Sequence, residues 1–191
     1  WNVEPDILVI SKGFAAGYAP LGAMVAHKDI VTNVLDDGGF LHGFTYAGNP
    51  LACAAGLAVL EEIEREDLCG NAARMGALLK SELKKLMDRY SIIGDVRGEG
   101  LLLAFELVED RTSLRPLPKE LAAFNQLVDI AYENGLIIYA RRTRGGYSGD
   151  HFLIAPPMIV SEDHVAEIIE GLDLSLRQFL DRISEQRAKA S

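Results

Sequence analysis

Apolar and polar residues change rhythm several times along this chain, and each rhythm predicts an element. Residues 7–10 are four apolar side chains in a row, bounded by Pro5 and Gly13. That is the pattern of a short strand covered on both faces, with parallel neighbours and helices packed on it. Residues 14–22 are rich in glycine, alanine and proline and predict a loop that lets a ligand or another backbone approach closely. A short apolar strand over 23–26, a short helix over 28–35 and a turn over 36–39 follow. Asn49 then Pro50 is a helix start, an N-cap followed by a residue suited to the first helical position. The helix runs to Arg65, and residues 51–58 are small and apolar on every side, as in a helix packed closely on its neighbours.

From 71 to 90 the period is helical. Ala72, Met75, Leu79, Leu83 and Leu86 form one face, and Lys80, Glu82, Lys84 and Lys85 the other. Beyond this helix the rhythm changes to strand, glycine turn (94–100) and strand (101–107). A polar loop over 110–118 and a helix over 119–134 stopped by Gly135 come next. A strand over 136–139, a basic glycine-rich loop over 141–149 and a strand over 152–155 ended by Pro156 and Pro157 complete the pattern. Ser161 caps a long final helix whose apolar positions run from Val165 to Ile183, and residues 185–191 read as a frayed polar tail. The switch near residue 90 divides the chain into segments 1–90 and 91–191.

Charge and composition narrow the partners. A net charge of −9 argues against nucleic acid or a membrane surface. No apolar run approaches the roughly 20 residues that span a bilayer, and no secretory pattern opens the sequence. Cys53 and Cys69 form no metal-binding or redox spacing, which suits free thiols in the cytoplasm, and no metal is expected. The early buried-type strand, with few other strands in the first ninety residues, reads as part of something larger.

Two positions carry candidate chemistry. Lys12 follows the apolar strand directly, where burial would lower an ammonium's pKa and free an amine for Schiff-base work. On position alone a solvated lysine just past a strand is the favoured reading. His42, Thr45 and Tyr46 lie just ahead of the helix that begins at Pro50, where free N–H groups and a helix dipole favour an anion, or where Thr45 serves an ordinary loop.

Taken together, Ser11-Lys12-Gly13, Pro20-Leu21-Gly22-Ala23, the run from His42 to Pro50, Val96-Arg97-Gly98-Glu99-Gly100 and Ala155-Pro156-Pro157 come in an order and spacing that closely resemble the second half of class III aminotransferases. The resemblance extends from Trp1 to about residue 180. It implies an α/β protein of the pyridoxal 5′-phosphate-dependent transferase fold type I. Residues 1–90 would be the C-terminal part of the large domain with a connecting helix, and residues 91–191 the C-terminal α+β small domain. It implies pyridoxal 5′-phosphate (PLP) as cofactor and Lys12 as the lysine that holds it and carries protons. Thr45, with the Phe44 backbone N–H, would bind the cofactor phosphate across a homodimer with shared active sites.

The resemblance implies a transaminase moving an amino group from an amine or ω-amino acid to a 2-oxo acid such as pyruvate. A same-fold aminomutase, decarboxylase or racemase, or a non-catalytic dimerisation fragment, is the alternative. Leu153 stands where many relatives place a carboxylate-gripping arginine. This favours the ω-transaminase-like group with a mobile loop arginine, for which Arg144 is the candidate and Arg141 and Arg142 the alternatives. Arg97 reads as structural. The resemblance also implies a glycine/serine phosphate cradle, a ring-stacking aromatic and a ring-nitrogen aspartate, none of which lies in these residues. Asp6 is too close to the strand's start to be that aspartate. A protein of these residues alone is expected to hold the cofactor weakly.

Overall fold

The computed structural model describes residues 2–143 and 148–190, which fall into two compact units, 1–67 and 68–191. Five elements build the first unit: β1 (Ile7–Ser11), a single 3-10 turn (Lys12–Ala15), β2 (Gly22–Ala26), α1 (Lys28–Asp36) and α2 (Pro50–Arg65). β1 and β2 pair antiparallel from Ile7 opposite Ala26 to Ser11 opposite Gly22. The sequence pattern called for parallel neighbours, whereas β2 is the one strand paired with β1 among the described residues. Nor are its faces covered within the unit, since Ile7 and Val9 are 49% and 75% exposed. The uninterrupted apolar run therefore marks surface that water still reaches here. α2 begins and ends where the cap signals place it, because the Asn49 side chain accepts the Ala52 N–H at 3.1 Å and Pro50 fits the first turn. Its apolar exterior is largely open, Leu51 and Leu57 being exposed, and Gly56 is its one buried residue.

The second unit is a two-layer α/β sandwich. It comprises α3 (Leu68–Arg89), β3 (Ile93–Glu99), β4 (Leu102–Asp110), β5 (Arg115–Pro116), a 3-10 turn (Lys119–Leu121), α4 (Ala123–Glu133), β6 (Tyr139–Thr143), β7 (Ser148–Ile154) and α5 (Glu162–Ala190). The antiparallel sheet has the order β3-β4-β7-β6, and β5 pairs with the end of β4. Period-two alternation puts Leu103, Phe105 and Leu107 of β4 on one face, opposite Ile154, Phe152 and Asp150 of β7. The Phe105 and Phe152 rings stack at 4.9 Å. Leu79, Leu83 and Leu86 of α3, Leu127 and Ile130 of α4, and Leu172, Leu176 and Phe179 of α5 join them in one core. Each such buried side chain contributes about 1.5–3 kcal/mol.

Several expectations shift by a few residues, each for a physical reason. The glycines of 94–100 lie mostly within β3 rather than in a turn. Gly98, at φ +126°, sits where a Cβ would be 2.1 Å from the Leu102 carbonyl oxygen, so it serves close approach of paired backbones. The helix expected over 119–134 is broken at Ala122, which adopts a left-handed φ of +46°. Residues 136–138 are not in a strand, and β6 begins at Tyr139, so Arg141 and Arg142 are strand residues rather than loop residues. The C-terminal helix continues to Ala190 instead of fraying at 185. Its start is a reciprocal cap, with Ser161 N–H donating to His164 Nδ1 at 3.0 Å and His164 N–H facing Ser161 Oγ. Asn71 of α3 donates to the carbonyls of Met158 and Val160, fixing the chain just after Pro156 and Pro157.

Candidate active site

The first unit positions Lys12 by a change of backbone conformation. Ser11 is fully extended at φ −162°, and Lys12 turns abruptly to φ +56°. A left-handed lysine has no glycine-like freedom, and holding it there costs on the order of 1–2 kcal/mol. Strained residues of this kind concentrate at functional sites, where the surroundings over-determine them. Here the surroundings are the one-turn 3-10 helix and what lies against it. Ala16 N–H closes the turn onto the Gly13 carbonyl at 3.0 Å, and Ala15 is fully buried. α2 packs on this turn through Gly56. A Cβ there would be 3.7 Å from the Phe14 carbonyl oxygen and 2.4 Å from Leu21 Cδ2. The helix thus seats the lysine-bearing turn through the absence of a side chain. Lys12 itself is exposed, so the dry strand end expected from the sequence is not formed by these residues.

The second candidate element is the turn leading into α2. Ala47 N–H donates to Phe44 C=O and Asn49 N–H to Tyr46 C=O, and Gly48 takes φ +68°. These bonds place Phe44 and Thr45 immediately ahead of the N-terminus of a 16-residue helix. Phe44, Thr45 and Tyr46 are all exposed, and the His42 ring meets Phe44 edge-on at 5.1 Å. An open cleft of about 800 Å³ lies between this turn and the loop 18–22. Its walls include Tyr18, Pro20, Gly22, Phe44, Tyr46 and Asn49, but neither Lys12 nor Thr45. The small-residue loop flagged in the sequence does line a cavity. Tyr46 is among the residues the sequence places ahead of α2, whereas the contribution of Tyr18 carried no signal beyond its place in that loop.

Separately, the two elements offer groups suited to a phosphorylated carbonyl compound: a primary amine on a constrained turn, and a hydroxyl ahead of the positive end of a helix dipole. Among the described residues there is no cluster of histidine, cysteine and carboxylates able to hold a metal.

In the second unit Arg144 lies outside the described residues. Arg141 stacks its guanidinium on the Tyr139 ring at 4.7 Å and is exposed. Arg142 is instead buried against Asp150 at 3.2 Å, with side-chain exposures of 8% and 1%. A guanidinium so enclosed is a part of the core and is not free to grip a solute. The sequence reading missed this pair because Asp150 is eight positions beyond Arg142, just past the apparent loop, and only strand pairing brings the two opposite each other. On the outer sheet face Arg97 bridges Asp95 at 2.7 Å and Glu106 at 2.9 Å, in keeping with a structural role.

Comparison with known proteins places this geometry. The family description "Aminotransferase class-III" matches residues 1–176. The chain belongs to the class III aminotransferase family. It is 40% identical over 175 residues to the mitochondrial alanine–glyoxylate aminotransferase 2 homolog 2 of Arabidopsis thaliana, covering 92% of this chain and 34% of that protein. It is 35% identical over 178 residues to the taurine–pyruvate aminotransferase of Bilophila wadsworthia, covering 91% of this chain and 39% of that one. Among solved structures, an amine transaminase from an uncultivated Pseudomonas species in its PLP-bound form superposes with a TM-score of 0.84 at 37% identity, over 93% of this chain and 39% of the other. A transaminase from the marine bacterium Virgibacillus gives 0.88 at 32% identity, over 96% and 41%. The fold is therefore that of the class III, fold-type-I transaminases, and the chain spans between a third and about two fifths of the length of these relatives.

Proposed function

We propose that this chain carries the lysine half of a PLP-dependent transaminase site, one that moves an amino group from an amine or ω-amino acid to a 2-oxo acid such as pyruvate. The observation that carries the reading is Lys12, an amine held in a left-handed turn at the end of β1 in a chain of this family. Pyridoxal 5′-phosphate, when bound, supplies the aldehyde and the electron sink. Lys12 Nζ would hold the cofactor and, when free of it, would take up and return the proton at the amine-bearing carbon of the substrate. Thr45 Oγ1 and the Phe44 N–H, at the N-terminus of α2, bind the phosphate.

In this reading Thr45 serves the site of a second copy of the chain, giving a homodimer with shared active sites. The open apolar surface of the first unit, including Val9, Leu41 and Leu51, supports such a partner. Residues 1–90 belong to the large cofactor-binding domain with α3 as the connecting helix, and residues 91–191 form the small domain. Arg144 receives the acceptor carboxylate. Among the described residues no helix is long and apolar enough to cross a membrane.

The test is to titrate the 191-residue chain with PLP and follow visible absorbance, then supply an amine and pyruvate and assay alanine. A new band that is absent in Lys12→Ala, a roughly tenfold weaker titration in Thr45→Ala, and alanine formation support the reading. A wild-type chain with no band even with PLP in large excess overturns it.

A further inference from the structure

The Arg142–Asp150 pair lies outside the chemistry proposed above. We propose that this pair makes the junction between α4 and the strands β6 and β7 a pH-set joint, closed in acid and loosened as pH rises. The inference stands on the second unit alone and does not depend on which reaction the chain takes part in.

Four observations meet at the joint. First, Asp150 is fully buried and lies directly opposite Arg142 in the strand register, so the two tie β6 to β7 at the root of the stretch 143–149. Second, the first turn of α4 has no cap of its own. Its N-cap residue is Ala122 in a left-handed conformation, no acidic residue lies in the first turn, and the Asn125 and Gln126 N–H groups already share the Ala122 carbonyl. The Phe124 N–H, one of the orphan donors of that turn, faces the Asp150 carboxylate. Third, the Phe124 ring lies under the Arg142 guanidinium at 5.8 Å, so α4, β6 and β7 all meet at these three residues. Fourth, the joint is poorly satisfied. Neither Asp150 oxygen and not Arg142 Nε closes a hydrogen bond of normal geometry, although the ion pair is 3.2 Å apart.

Those facts fix the direction. A buried carboxylate with one ionic contact and no well-formed hydrogen bond recovers only part of its lost hydration. Arg142 from β6, the Phe124 N–H from α4 and His151 from β7 favour the charged form of Asp150, and Glu106 from β4 opposes it. Burial outweighs the favourable neighbours and raises the Asp150 carboxyl above its ordinary value. A closed joint therefore takes up a proton at a higher pH than an open, hydrated one. By linkage, acid favours the closed joint and rising pH favours opening, which lets the carboxylate and guanidinium reach water.

The experiment is amide hydrogen exchange on the full 191-residue chain from the usual aspartate range up to about pH 8, as protection factors corrected for intrinsic rates. Protection at Phe124 and along β6 and β7 should rise on acidification, by up to about tenfold per pH unit within the titration range. Protection in α3 and α5 should stay flat. In the double variant Arg142→Met with Asp150→Leu, which removes both charges together, the acid-dependent rise should vanish. Junction protection that is flat or falls in acid, or an acid-dependent rise that persists in the double variant, overturns the proposal. The carboxyl resonance of Asp150 in the wild-type chain gives an independent readout. It should titrate above the usual aspartate range, and titration within or below that range also overturns the proposal.

Discussion

Alanine in place of Gly76 and alanine in place of Gly171 are the same chemical change in two helices, yet they should move stability in opposite directions. Gly76 lies in α3 against the β3–β4 turn. A Cβ built there would be 2.2 Å from both the carbonyl carbon and oxygen of Gly100 and 2.6 Å from its Cα. Comfortable carbon contacts lie near 3.5–4.0 Å, so the helix and the turn must separate by roughly 1 Å or more. Backbone resists on both sides, and Met75 and Leu79 beside the site are buried, which places the cost toward the upper end of the roughly 1–3 kcal/mol for overpacking. Replacing glycine inside a helix returns about 1 kcal/mol. The net expectation is a loss of about 2 kcal/mol.

Gly171 in α5 meets Leu136 Cδ2 at 3.4 Å, an ordinary contact. There the helix gain stands nearly alone, and stability should rise by about 0.5–1 kcal/mol. Urea unfolding followed by circular dichroism reads both. With a slope near 1–3 kcal/mol per molar urea, Gly76→Ala should lower the midpoint by about 1 M and Gly171→Ala should raise it slightly. A Gly76→Ala chain as stable as wild type would refute the reasoning that Gly76 is there for backbone approach.

Asn49→Ala removes the bond to the Ala52 N–H and should weaken the start of α2 by about 1 kcal/mol, visible as faster exchange of the Ala52 amide. Asp173 accepts from Tyr90 Oη at 2.8 Å and pairs with Arg89 and Arg177, so Asp173→Ala should cost about 1–2 kcal/mol at the α3–α5 contact. Burial first, and Asp173 second, raises the Tyr90 phenol. Its contribution to stability is therefore complete below the unfolded-state value and is lost as pH climbs through the folded-state value. Ultraviolet titration should accordingly find Tyr90 ionising at lower pH in Asp173→Ala than in wild type.

What could be read in advance follows how local each signal is. α2 is written in two adjacent residues, Asn49 and Pro50, whose cap chemistry needs no distant partner, and its bounds are those the sequence predicts. α3, α4 and α5 show their buried faces as a helical period, so their existence was legible while the break at Ala122 was not. The β6 boundary was misread because arginines look like loop residues until a buried partner is known, and Asp150 becomes one only through the strand pairing. Gly94 and Gly98 looked like turn residues. Their use is to admit Val108 and the Leu102 backbone, which are contacts between strands. At the candidate site, the place of Lys12 after an apolar strand suited a solvated lysine too, and it is the order of motifs resembling class III aminotransferases that singles it out. Its left-handed backbone and its seating by Gly56 depend on three-dimensional packing that no local pattern encodes.

Under the proposed function Lys12, among all the lysines of the chain, is the one that holds the PLP aldehyde. Incubation of the 191-residue chain with PLP, reduction with borohydride and peptide mapping by mass spectrometry tests it directly. The reduced adduct should sit on the peptide containing Lys12, be displaced by a competing amine before reduction, and be lost in Lys12→Ala. Labelling spread evenly over exposed lysines such as Lys28 and Lys119, or unchanged in Lys12→Ala, would contradict it.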